Sequence, residues 1–301
     1  MSNSIGFVGL GNMGGRMTSC MVRAGRRVIG FDVRPEAIAE AGAEPVRSVA
    51  EVVEQSEIVL LSLPDSRVVN AVVDGPDGVL ARVREGQVVV DLSTAAPAST
   101  RRIDEAMRAR GAHYLDAGVS GGAAAAEKWS LTLMVGGDAE VLERVRPVLD
   151  LFSAAVFHCG PSGSGHTAKL LNNFLNAISL SATAEVMVAA KKAGLDLETF
   201  LAVVNKSSGV NFATLNRFPK IIHGDYLEGG LTNALMMKDV VLYSELIAEL
   251  GVSSPNVSAP LASFGLALGL GYADRISNTV VDAIGDMSGG IRLHEDRKER
   301  E

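Results

Sequence analysis

Residues 5–14, Ile-Gly-Phe-Val-Gly-Leu-Gly-Asn-Met-Gly, set a short apolar run directly before Gly9, Gly11 and Gly14. A strand that passes through Gly-x-Gly-x-x-Gly into a helix opens a βαβ unit suited to a pyrophosphate. Each glycine has a physical task there. Gly9 permits the tight turn, Gly11 lets backbone approach the phosphates, and Gly14 lets the helix pack close to the strand. With Leu10, Asn12 and Met13 between them, the turn offers free N–H groups at a helix N-terminus, which favour negative charge. Asp32 ends the next apolar run. A carboxylate at this position accepts hydrogen bonds from an adenosine ribose and repels a 2′-phosphate, so NAD is expected over NADP. Arg26, Arg27 and Arg34 argue the other way unless they are solvated surface charges.

Two rhythms divide the chain. Apolar runs at 5–8, 28–31, 58–63, 88–91, 113–116, 131–135 and 155–158 read as strands. Helical patterns at 13–24, 35–41, 97–110 and 138–151 alternate with them. Alternation of this kind implies parallel strands joined by crossover helices on both faces. After Cys159 the pattern changes. Residues 160–165 form a glycine-rich loop, and 166–193 then run without proline or glycine. That segment predicts one long, buried helix of about 42 Å. Further helices are expected at 196–206, 232–250, 257–268 and 274–287, with no strand pattern among them. The expected fold is therefore α/β. A Rossmann-type dinucleotide-binding domain with a largely parallel sheet spans 1–162. An all-α domain spans 163–290 and begins with a long interdomain helix. A charged tail, 291–301, is expected to fray.

Several function classes drop out. With 28 Lys+Arg against 35 Asp+Glu the formal charge is −7, which leaves no domain-wide basic bias to hold nucleic acid. The charge-free stretch 250–273 is long enough to suggest a membrane span, but prolines, glycines and serines break it into a loop and a core helix. The first residues show no basic region followed by an apolar run, so no secretory leader is expected. Cys20 and Cys159 are expected to be reduced thiols in a cytoplasmic protein. The five histidines form no HxxxH or HExxH pair, so no metal site is expected. Residues 160–165 nearly match a phosphate-binding loop, but His166-Thr167 follows where lysine and serine or threonine are needed.

Two segments carry candidate chemistry. Ser120, Gly121 and Gly122 offer a hydroxyl and two unobstructed N–H groups, a concavity suited to a carboxylate and equally compatible with a plain loop. Lys169 stands one turn inside the long helix among apolar neighbours, with Asn173 four residues on and on the same face. Desolvation and the helix N-terminus both lower a lysine pKa, which would poise Lys169 for proton transfer; a surface lysine is the alternative. The largely apolar face of the long helix suggests self-association, as a homodimer or homotetramer.

Taken in order, Gly6–Met17, Asp91–Pro97, Asp116–Gly122, Gly163–Asn173 and the pair Lys238-Asp239 resemble the β-hydroxyacid dehydrogenase family, whose members include 3-hydroxyisobutyrate dehydrogenase and tartronate semialdehyde reductase. The resemblance runs from residue 5 to about 285. It implies an NAD(P)-dependent oxidoreductase that transfers a hydride between nicotinamide and a small 3-hydroxy acid or its aldehyde acid. It also implies roles. Lys169 is the general acid/base, Asn173 orients the substrate, and Ser120, Gly121 and Gly122 hold its carboxylate. Lys238 reaches the cofactor side, and Leu63, Pro64 and Thr94 line the nicotinamide path. Phe212, with Val210 and Asn211, shapes the pocket. The chain departs from the family at Ala125-Ala126 and at Trp129-Ser130, where a Gly-Ala pair and a Gly-Thr pair are usual. Two alternatives stand beside this reading: a reductase of another carbonyl or an imine on the same fold, and a dinucleotide-binding module without turnover.

Overall fold

A computed structural model describes residues 4–294, which form two compact units divided between Lys169 and Leu170. The charged residues 295–301 lie outside the described residues.

The first unit is built on one sheet of eight strands. They are β1 (Ile5–Val8), β2 (Val28–Phe31), β3 (Glu44–Pro45), β4 (Ile58–Leu61), β5 (Val88–Asp91), β6 (His113–Ser120), β7 (Leu131–Gly136) and β8 (Ser153–Gly160). Their order is β3-β2-β1-β4-β5-β6-β7-β8. The first six run parallel; β7 is antiparallel to β6, and β8 is parallel to β7. Successive residues feed opposite faces, as the pleat demands. Phe7, Ile58, Leu60, Val88 and Val90 enter one core, while Val8, Val59, Leu61 and Val89 enter the other. Chain order reverses between β1 and β4, which opens a crevice at the carboxyl ends of those strands.

The structure corrects the expected pattern at β6. The strand continues four residues beyond Asp116, so Ala117–Ser120 are sheet rather than loop. They pair with β7, Ala117 with Val135 and Ser120 with Thr132. Strand β3 has two residues and one proline, too little for a periodic signal. Helices Val49–Gln55 and Ser66–Asp74 begin at caps, Ser48 and Asp65, that accept from Glu51 and Val68 N–H.

In the second unit, helices surround a core that includes Leu180, Met187, Phe218, Met236, Phe264 and Val280. Helix Ser164–Lys192 supplies its first segment to the first unit and the rest here. The single sheet-like pairing among the described residues of this unit is an isolated bridge, Thr232 with Ile276. The charge-free stretch folds as helix Ser258–Gly269 with Phe264 and Ala267 buried, and no described helix is long and apolar enough to cross a membrane. Both cysteines are free thiols, Cys20 buried and Cys159 exposed.

Candidate active site

The first glycine turn lies at the carboxyl end of β1, beside the order reversal. Gly9 has φ +88°, and a methyl there would come within 2.3 Å of the Ser62 carbonyl. A methyl at Gly14 would lie 2.0 Å from the Gly9 carbonyl, so only glycine lets helix Asn12–Arg23 sit this close to the strand. Gly11 differs. A methyl there would meet nothing nearer than the Arg34 guanidinium at 4.0 Å, and Gly11 caps the helix without any side-chain hydrogen bond. Gly11 thus leaves room beside this helix N-terminus, and a helix N-terminus with room beside it suits a pyrophosphate.

Asp32 holds the turn. Its carboxylate accepts from Leu10 N–H at 2.7 Å and from Arg34 N–H at 2.9 Å. An ionised carboxylate has about four acceptor positions, so capacity for a ribose remains. Arg27 is engaged elsewhere, forked onto Glu44 at 2.6–2.9 Å. Leu63 N–H donates to Ser93 Oγ at 2.9 Å, which ties the loop after β4 to the loop after β5 where Thr94 lies. Pro64 is exposed and Thr94 half-buried.

Two buried carboxylates stand side by side in register, Asp91 at the end of β5 and Asp116 midway along β6. Asp91 accepts from Ser93 N–H at 3.0 Å and from the Tyr114 hydroxyl at 2.8 Å. Burial, together with this neighbouring charge, pushes the Tyr114 phenol well above its ordinary pKa. Asp116 accepts from Gly163 N–H at 2.8 Å and His166 N–H at 2.7 Å, and so caps helix Ser164–Lys192. His166 is fully buried, with Nδ1 at 2.7 Å from Thr100 Oγ1.

The capped helix is pressed onto the sheet through glycines. A methyl at Gly165 would lie 2.3 Å from the Met134 carbonyl, and one at Gly118 would lie 2.4 Å from Lys169 Cβ. Gly118 and Ser120 are two residues apart on β6 and share a face. Ser120 thus lies on the face of the sheet against which Lys169 is docked. Lys169 is half-buried. Gly121 and Gly122 follow at φ +123° and +67°, both exposed.

Within the second unit Asn173 is buried, and its amide donates to Asp239 Oδ2. Lys238 Nζ lies 3.1 Å from Asp239 Oδ1. Phe212 is exposed at the start of helix Phe212–Asn216, which Asn211 caps with a reciprocal bond to Thr214. Among the described residues, no His/Cys/Asp/Glu cluster could hold a metal ion.

Comparison with known proteins bears on this arrangement. Residues 4–160 match the family model of the NAD binding domain of 6-phosphogluconate dehydrogenase, and residues 163–281 match that of the NAD-binding region of NADP-dependent 3-hydroxyisobutyrate dehydrogenase. An NAD-dependent L-serine dehydrogenase of Pseudomonas aeruginosa is 38% identical over 281 residues, 90% of this chain and 94% of its own length. A 3-hydroxyisobutyrate dehydrogenase of the same organism is 40% identical over 248 residues, 79% of this chain and 83% of its own. The structure of Mycobacterium tuberculosis 3-hydroxyisobutyrate dehydrogenase with L-serine superposes with a TM-score of 0.85 at 32% identity, covering 93% of this chain and 98% of that one. The chain belongs to the β-hydroxyacid dehydrogenase family. It is an NAD(P)-dependent oxidoreductase acting on the hydroxyl group of a hydroxy acid.

This β-hydroxyacid dehydrogenase departs from its family at Trp129, and the backbone explains the family preference. Trp129 has φ +56°, a left-handed conformation that glycine adopts without strain. Its side chain, 49% exposed, reaches the Cys20 thiol, which burial pushes up. The residues that sequence reading missed are the partners. Asp116 and Asp239 fall inside quoted motifs, yet their roles depend on contacts 47 to 66 residues away. Asp91 and His166 also fall inside quoted motifs with no role assigned to them, and Thr100 and Tyr114 lie outside every quoted motif.

Proposed function

We propose that this dehydrogenase oxidises small 3-hydroxy acids with NAD, and that Lys169 is its general acid/base. The observation that carries the reading is the docking of Lys169 against Gly118, on the same face of β6 as Ser120. Ser120 Oγ with the Gly121 and Gly122 N–H groups would hold the substrate carboxylate. Lys169, on the adjoining helix, would take the hydroxyl proton in oxidation and return it in reduction. Asn173, held by Asp239, would orient the substrate hydroxyl, and Phe212 would shape the pocket. The substrates named for two relatives, L-serine and 3-hydroxyisobutyrate, both carry a primary hydroxyl on the carbon β to a carboxylate.

On the cofactor side, the turn from Gly9 to Gly14 with Leu10, Asn12 and Met13 would receive the pyrophosphate, and Asp32 the ribose. Leu63, Pro64, Thr94 and Lys238 would line the nicotinamide side. Bound nicotinamide supplies the hydride acceptor. Asp32 supports NAD over NADP, and the engagement of Arg27 by Glu44 removes one competing cation.

Lys169→Ala should lower kcat by about 10²–10⁴ while NAD affinity stays near normal. The assay is a panel of 3-hydroxy acids run with NAD and NADP. Retention of most activity would overturn the assignment of Lys169, and tight cofactor binding without turnover of any substrate would favour a non-catalytic module. We also propose a cytoplasmic homo-oligomer. Leu171, Leu175 and Val186 expose an apolar stripe along the long helix at 41%, 64% and 49%. Light scattering should give a multiple of the 31.5 kDa chain mass, and a monomeric mass would refute it.

A further inference from the structure

Arg217 presents an unsolved charge in the second unit. It follows helix Phe212–Asn216 and is half-buried. Its Nη1 donates to Asn278 Oδ1 at 3.0 Å and its Nη2 to Asn176 Oδ1 at 2.9 Å. Both acceptors are neutral amides. Among the described residues, no carboxylate lies within ion-pair distance. The other described arginines of this unit are treated differently. Arg292 meets Asp286 at 2.5 Å and Asp282 at 3.9 Å, while Arg275 is exposed over the Tyr272 ring. Burial pulls the Arg217 pKa down to about 10, with no neighbouring charge opposing it. The group remains cationic at neutral pH.

Enclosing a charge without a counter-charge is costly, and buried charges in proteins are normally paired. Here the two asparagines hold the guanidinium in place without neutralising it. A guanidinium has five N–H donors in a planar fork, and these bonds use two. Three remain for a ligand. Asn278 is itself fixed, buried and donating to the Tyr226 carbonyl at 2.8 Å. Asn176 lies three residues beyond Asn173 on the same helix, so the two share a face. The Phe212 ring lies 5.6 Å from the guanidinium carbon. Arg217 is therefore linked on one side to the helix face that carries Asn173 and on the other to Phe212, the two substrate-facing residues assigned above in this unit.

We propose that Arg217 is the receptor for a second carboxylate, and that the substrate of this enzyme is a hydroxy dicarboxylic acid. The inference rests on the dehydrogenase reading and narrows it. The planar fork matches a carboxylate through two parallel hydrogen bonds, which a lysine could not supply. Arg217 binds a part of the substrate remote from the reacting carbon, so its contribution falls mainly on KM.

The test compares 2-(hydroxymethyl)butanedioate with the same compound amidated at its distal carboxylate. Wild-type enzyme should favour the diacid by about 10² in kcat/KM, largely through KM. Arg217→Gln should reduce that preference below about threefold, and Arg217→Lys should retain about tenfold. Absence of the preference in wild-type enzyme, or its survival in Arg217→Gln, overturns the inference. A second readout covers a variant that does not fold. In wild-type enzyme the diacid, but not the amide, should protect Arg217 from phenylglyoxal, located by mass spectrometry; equal protection counts against the proposal. Wild-type enzyme that oxidises 3-hydroxyisobutyrate without preferring the diacid sinks the inference and leaves the dehydrogenase reading standing. If no hydroxy acid is turned over, calorimetric binding of diacid and amide still decides the role of Arg217.

Discussion

The chain contains two glycine-rich turns that open helices, and they solve opposite problems. At Gly9–Gly14 the helix starts without a side-chain cap, and a methyl added at Gly11 would enter open space. At Gly160–Gly165 the corresponding groups are consumed. The buried Asp116 carboxylate takes the N–H groups of Gly163 and His166, and the backbone of β6 and β7 crowds against Gly165. The first turn has no side-chain anion at its cap and is the one proposed to receive the cofactor's phosphates. The second has its anion built in, and its glycines serve close packing. Glycine spacing alone does not tell these cases apart. What decides is where the helix N–H groups find their acceptors.

Three substitutions can break or sharpen this contrast. The largest effect is expected from Asp116→Ala, which strands two buried N–H groups and should cost about 3 kcal/mol or more in urea unfolding. A cost under about 1 kcal/mol would mean that the second turn is not internally capped in the sense argued here. Gly11→Ala comes next. Stability should stay within about 0.5 kcal/mol, because the methyl enters open space, while NAD affinity measured by calorimetry falls about tenfold. An unchanged affinity would remove Gly11 from the cofactor cradle. The smallest effect concerns an ordinary capped start, helix Ala139–Leu149. Asp138 accepts from Val141 and Glu140 N–H, and Asp138→Ala should cost about 1 kcal/mol at pH 7. The backbone bond from Val141 first, then that from Glu140, holds this carboxyl below its ordinary value of 3.8. The cap's contribution is therefore complete above that value and disappears as pH falls through the lower native one. Wild-type and variant stabilities should converge in acid; a constant gap would show that ionisation of Asp138 is not involved.

Much of the fold was readable from residue order. β1, β2 and β5 begin and end where the apolar runs do: Ser4 and Gly9 flank the first, Arg27 and Asp32 the second, and the third follows Gln87 and ends on Asp91. The extension of β6 was not readable. Ala-Gly-Val-Ser has the composition of a turn, and only pairing with β7 makes it a strand. The same limit applies to the site. The roles of Gly9, Gly14 and Asp32 are local in character, so spacing reveals them. The bonds of Asp116 to Gly163 and of Asn173 to Asp239 join residues far apart in the chain, and no pattern links them. Arg217 is the extreme case. Nothing around it in the sequence says that it is half-buried, or that its acceptors are amides.

The uncapped helix at Gly11 has a consequence for how long the protein lasts. A dinucleotide bound at this turn would set its phosphates against the helix N-terminus, a favourable contact that only the folded chain offers. A ligand at a hundred times its Kd raises stability by about 2.7 kcal/mol through mass action alone. Resistance to heat and to proteolysis should therefore follow the supply of cofactor. A cell that runs short of dinucleotide would lose turnover and, after it, the enzyme itself.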